Sequence, residues 1–291
     1  MGVIQTPALD GKLNTGLANF GNRWKMVKKT YVMSCYLSLK RHPQAGDPQG
    51  GIGGLIPFGK RAGHVKANNA NYCSPWIQSL SNFDVVPVIF HDNLTEGFVN
   101  RQLELSNKVK FVKVDIGPYS NNDQRFFYYK EFIEKVGTQN VKNVFTTDLW
   151  DVLCKKDPSK LDIEDGKLFF CEDTFLLNEY NFHGVEFDTV HKSENWTNLN
   201  TILSKNFKLL NAGVIGGNAH TFYNFLEIFT EIRKKSHHSK LVRSRCKNNI
   251  NMFLVNYIAR NFFTSVESGY PFCSDYKQYQ TYRDDVYFCH K

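Results

Sequence analysis
The sequence contains no apolar run near the roughly 18 residues that a membrane-spanning helix needs, so nothing in it reads as a transmembrane segment. Its opening, MGVIQTPALDGKLNTG, lacks the basic flank and long apolar block of a secretory signal. It does fit the myristoylation pattern through Gly2 and Thr6, but so short a pattern recurs by chance. The seven cysteines are odd in number and show neither paired nor zinc-finger spacing, which gives no sign of a disulfide framework. Reduced thiols in a cytoplasmic setting are the expectation, and two N-glycosylation sequons at Asn93 and Asn195 weigh little without a secretion signal. A glycine-rich stretch at 42–63 misses the GxGxxG dinucleotide fingerprint, because Ile56 stands where its last glycine belongs.

Acidic residues are in the minority. Against 28 Asp and Glu stand 36 Lys and Arg, for a net charge of +8. That excess favours anionic partners such as nucleotides, nucleic acid or an acidic membrane. The densest basic run, RKKSHHSKLVRSRCK at 233–247, reads as a solvated helix end and loop, or alternatively as a phosphate- or membrane-facing patch.

Of the 291 residues, 42% are hydrophobic and 24 are Phe, enough for a sizeable Phe-rich core. Residues 1–29 read as a polar arm. From residue 30 onward, strand-like and helix-like patterns alternate. Strands are expected at 30–39, 85–90, 109–116, 141–147, 167–171 and 208–217, with a last short one at 286–291. Helices are expected at 69–83, 94–105, 123–136, 220–234 and 248–261. No internal repeat or linker interrupts the first half. Such alternation predicts a single α/β domain over 30–291, with a mostly parallel, Rossmann-like sheet flanked by helices.

The run VKNVFTTDLWDVLCKKDP at 141–158 carries the strongest chemical signal. A buried strand leads straight into Asp148 and Asp151, with Trp150 between them. Ionised carboxylates resist burial unless a positive charge meets them. Two readings stand for the pair: strand-end and turn residues, or ligands for a hard divalent cation that also binds phosphate oxygens. In a doubly wound sheet the ligand sits beyond the carboxyl ends of the strands, and His91, Asp148, Asp151, Glu172 and Asn211 all fall at expected strand ends. The small residues of 211–217, NAGVIGG, either let backbone approach a ligand closely or form a tight turn with glycines at positive φ. His91 alone reads as a packed residue.

Taken together, TTDLWDV…DP, FFCED, LLNAGVIGG and NMFLVNYIARNFF resemble the GT-A class of metal-dependent glycosyltransferases, over about 30–291. The resemblance implies a GT-A-like fold, a nucleotide-diphosphate sugar donor (UDP-sugar first, GDP-sugar second), a glycan or other hydroxyl acceptor, and Mn²⁺ or Mg²⁺. Asp148 and Asp151 would stand for the family's DxD motif with one residue more between them, Asp151 being the favoured direct ligand. His290 would complete the metal shell and Lys291 would meet the diphosphate. Asn211, Ala212, Gly213, Gly216 and Gly217, with Asp148, would contact the donor. Glu172 and Asp173 are the candidate catalytic carboxylates, since a base must reach the acceptor hydroxyl. The sequence departs from the family at Asn251, where an Asp is often found, whereas Asn256 matches.

Competing readings are a sugar-nucleotide pyrophosphorylase, a basic nucleic-acid-binding module and a peripheral membrane scaffold. The first lacks its compact Gly- and Arg-containing loop after the first strand. Nucleic-acid binding leaves the acidic strand end unexplained.

Overall fold
Alternate residues of the first strand, β1 (Lys29–Tyr36), face opposite ways, and each set has its own apolar layer. Tyr31 and Met33 join one cluster, while Val32 and Tyr36 join the other. A strand buried on both faces must lie inside a sheet covered on both sides. The computed structural model describes residues 27–42, 64–178, 202, 205–238, 248–274 and 284–290. The arm at 1–26, most of the 42–63 stretch, and 239–247 of the basic run lie outside the described residues.

The order is β1, α1 (Ala70–Leu80), β2 (Val86–His91), α2 (Glu96–Leu103), β3 (Lys110–Lys113), α3 (Asn121–Val136), β4 (Val141–Thr147), β5 (Val152–Cys154), β6 (Lys167–Leu176), β7 (Lys208–Asn218), α4 (Ala219–Ser236), α5 (Asn251–Phe262), β8 (Ser265–Ser268) and β9 (Phe288–His290). Seven strands form the main sheet in the order β3-β2-β1-β4-β7-β6-β8, and β5 pairs with β9 in a second, two-stranded sheet. Helices α3, α4 and α5 cover one face. Helices α1 and α2 and the small sheet cover the other. Among the described residues no helix is long and apolar enough to cross a membrane.

Local chemistry sets the helix starts. Asn69, Thr95, Ser120 and Asn218 each accept a hydrogen bond from a backbone N–H in the first turn that follows. Helix α5 has no such side-chain cap of its own. Instead the carboxylate of Asp123, from α3, accepts from Ile250 N at 3.1 Å. Asn256 then docks α5 on β7, accepting from Leu210 N and donating to Leu210 O, both at 2.9 Å.

The sheet is mostly parallel, as expected, with one strand reversed. β7 runs antiparallel to both β4 and β6, while the others share one direction. The start of β7 therefore lies beside the end of β4. Strand β6 is also longer than expected, so Glu172 and Asp173 sit within it and do not end it. Neither β5 nor β8 was expected. Cysteine pairing is a further correction: Cys171 and Cys273 form a disulfide across 102 residues, with Cα atoms 5.3 Å apart. They are brought together by the fold, which spacing along the chain does not reveal.

The basic run begins with a residue that never reaches the surface. Arg233 is fully buried, donating through Nε to Asp123 Oδ2 at 2.6 Å, and its guanidinium lies 4.5 Å from the Tyr119 ring centre. Arg233 is a core residue and not part of a phosphate-facing patch. Removing it would leave Asp123 as an uncompensated buried charge. The substitution Arg233→Met is expected to lower the unfolding free energy by about 3–5 kcal/mol in urea titrations, and a loss below about 1 kcal/mol would contradict this assignment.

Candidate metal centre and active site
The end of β4 is fixed before the acidic residues begin. Ser34 Oγ donates to Thr147 O, and Trp76 Nε1 donates to Thr147 Oγ1, both at 2.7 Å. Asp148 N then donates across to Gly213 O on β7 at 2.8 Å. Trp150 turns its ring toward α1 and stacks on Tyr72, with centroids 5.7 Å apart and planes 18° apart. Asp151 follows, and the next residue, Val152, pairs directly with His290 in the small sheet. That register carries Asp151 to His290, with Oδ2 and Nε2 at 3.6 Å. One ligand atom from each of Asp148, Asp151 and His290 lies within 4.8 Å of the others.

Two carboxylate oxygens and one imidazole nitrogen suit a divalent ion such as Mn²⁺ or Mg²⁺ with open positions for other ligands. The chain makes room for the imidazole deliberately: a Cβ on Gly213 would lie 2.1 Å from His290 Cε1. Burial pushes the pKa of His290 down, but Asp151, Asp148 and Asp173 together outweigh it and the net shift is upward. Burial also raises the pKa of the Tyr72 hydroxyl, and the two aspartates add to it.

Arg125 offsets part of that negative charge, and sequence reasoning missed it. It reaches from α3 to pair with Asp148 Oδ1 and donates through Nη2 to Ala212 O at 2.9 Å. The available signal was an arginine directly preceding the aromatic run Phe126–Tyr129 in an amphipathic helix. His42 also feels Asp148 and Arg125; burial holds its imidazole down at about 4, so it is neutral at pH 7.

The two candidate catalytic carboxylates part company. Asp173 is buried beside the candidate metal site, accepting from Asn211 Nδ2 at 3.2 Å and from Thr174 N at 2.8 Å. Asn211 Oδ1 in turn accepts from Gly213 N at 2.7 Å. Glu172 instead accepts from Ser268 Oγ of β8 at 2.6 Å, so successive residues of β6 take different partners. Asp173 belongs with the acidic group, and Glu172 does not.

The glycines divide in the same way. Gly213 is at the centre. Gly216 pairs with Phe145 and Gly217 with Val144, further back along β4. A Cβ on Gly216 would come within 2.4 Å of Phe145 Cδ1, and one on Gly217 within 3.0 Å of Leu168 Cδ2. Because β7 runs backward relative to β4, these two recede from the site, and both serve packing. None of the three takes a positive φ, so 211–217 is not a turn. His91 is packed, with Nδ1 accepting from Leu94 N at 3.3 Å. Asn251 is buried in the first turn of α5. Lys291 lies outside the described residues.

No protein-family model matches the chain, and no curated protein matches it in sequence. Similar solved structures include a galactosyltransferase, LgtC, in complex with donor and acceptor sugar analogues, at 13% identity and a TM-score of 0.48. An active-site mutant of LgtC aligns at 12% identity and a TM-score of 0.49. Each alignment covers 89% of this chain and 86% of the other. At these values the likeness says nothing about activity.

Two single-methyl substitutions separate the roles of the glycines. Gly213→Ala would displace the His290 ring, and Mn²⁺ affinity by calorimetry is expected to fall by about tenfold or more. Gly216→Ala overpacks Phe145, and is expected to cost about 1–3 kcal/mol of stability while leaving Mn²⁺ affinity in place.

Proposed function
We propose that the chain is a divalent-metal-dependent glycosyltransferase, moving a sugar from a nucleotide-diphosphate donor to a hydroxyl of a glycan or other acceptor. The grouping of Asp148, Asp151 and His290 at the carboxyl edge of the sheet carries this reading, because that edge is where α/β sheets bind nucleotides. A bound Mn²⁺ or Mg²⁺ would supply Lewis-acid neutralisation of the departing nucleoside diphosphate. The protein's own part is positional. Arg125 orients Asp148, and the Val152–His290 pairing sets Asp151 against the imidazole. Asn211 holds one oxygen of Asp173, and that carboxylate is the candidate to accept the proton of the acceptor hydroxyl. A UDP-sugar is the first donor to test and a GDP-sugar the second. The Cys171–Cys273 bond weighs against a cytoplasmic setting, where thiols are kept reduced.

Calorimetric titration with UDP tests the reading. UDP is expected to bind only with Mn²⁺ or Mg²⁺ present, and Asp151→Asn is expected to weaken that binding by at least about tenfold. Nucleotide binding that is equal with and without metal would overturn it.

A further inference from the structure
The disulfide and Ser274 supply no ligand atom, yet both bear on where His290 sits. β9 is only three residues long, and two-stranded pairs of that size are marginal alone. It is held from two sides. On one side lies β5. On the other runs the strap 271–274: Tyr287 N donates to Pro271 O at 3.2 Å, Phe288 N to Phe272 O at 3.0 Å, and Ser274 N to Phe288 O at 3.1 Å. Ser274 Oγ accepts from His290 N at 2.9 Å and donates to His290 O at 3.3 Å. The strap is in turn bonded through Cys273 to Cys171 of β6. Cys171 pairs with Asn211 and lies two residues before Asp173.

We propose that Cys171, Cys273 and Ser274 are positioning residues that seat His290 in the metal centre. The covalent bond ties the strap to the main sheet, and Ser274 ties the last strand to the strap. The proposal rests on the metal-dependent reading of the site. A ligand must be held to about 0.5 Å to be productive, and the ligands here come from two separate sheets. Asp148 leaves the main sheet, whereas Asp151 adjoins β5 and His290 lies in β9. The backbone already runs from β8 into the strap through residues 269 and 270, and the disulfide adds a second covalent tie, from the strap to β6. Both cysteines are fully buried, so the bond acts as a fixed frame shielded from solvent thiols.

Two variants test this, the double substitution Cys171→Ala with Cys273→Ala, and Ser274→Ala with the disulfide intact. The first readout needs no metal: the nuclear Overhauser contact between Gly213 Hα and His290 Hε1, which the contact of Gly213 with the ring requires. The second is Mn²⁺ affinity. In either variant the contact is expected to weaken and the Mn²⁺ Kd to rise by about tenfold. Should the double variant fail to fold, Ser274→Ala decides. A folded variant that keeps the contact and a Kd within about twofold of the parent overturns the proposal, as does a parent protein lacking the contact. A parent that shows the contact but binds no Mn²⁺ removes the functional reading alone, and the contact in the variants still tests the seating.

Discussion

Two carboxylates and a third nearby, gathered around a buried imidazole, repel one another, and much of the molecule near the sheet edge is arranged to hold them there. Arg125 pairs with Asp148, and the carboxylates around His290 push its pKa upward against the effect of burial. Neither group is a complete answer. A divalent ion with oxygen-rich coordination is the natural partner for such a cluster, and the same ion has affinity for pyrophosphate. In the proposed function, the link from packing to activity runs through that charge.

The reversed direction of β7 is what makes the geometry possible. It sets Asn211 and Gly213 beside the end of β4, so one short stretch orients Asp173, receives the N–H of Asp148 and leaves space for the His290 ring. The same reversal sends Gly216 and Gly217 into the core. A single run of small residues thus does two unrelated jobs, and only its first half lies at the candidate metal site.

Much of the fold was legible because burial writes itself into composition. The expected strand at 141–147 coincides with β4, and α1, α3 and α4 lie within a few residues of their apolar periodicity. The mostly parallel sheet was legible in the alternation of strands and helices, but the reversal of β7 was not, since a buried strand has the same composition whichever way it runs. β9 falls within the short strand expected at 286–291, β5 is too short to show a pattern, and β8 (SVES) is polar because it lies at the sheet edge. Glu172 and Asp173 looked like a strand end because both are charged; both lie within β6, and each has a partner on a neighbouring strand, Ser268 of β8 and Asn211 of β7. The expected ligands Asp148, Asp151 and His290 are brought together in space. Arg125 and the disulfide depend on contacts made across the fold, which no local window contains.

The account stands or falls on whether His290 joins the two aspartates around one ion. Pulsed electron paramagnetic resonance on the Mn²⁺-loaded protein measures this directly, through the coupling of an imidazole nitrogen to the manganese. The expected spectrum shows coupling to a single imidazole nitrogen that disappears in His290→Ala. Bound Mn²⁺ with no nitrogen coupling, or a coupling that survives that substitution, would contradict it.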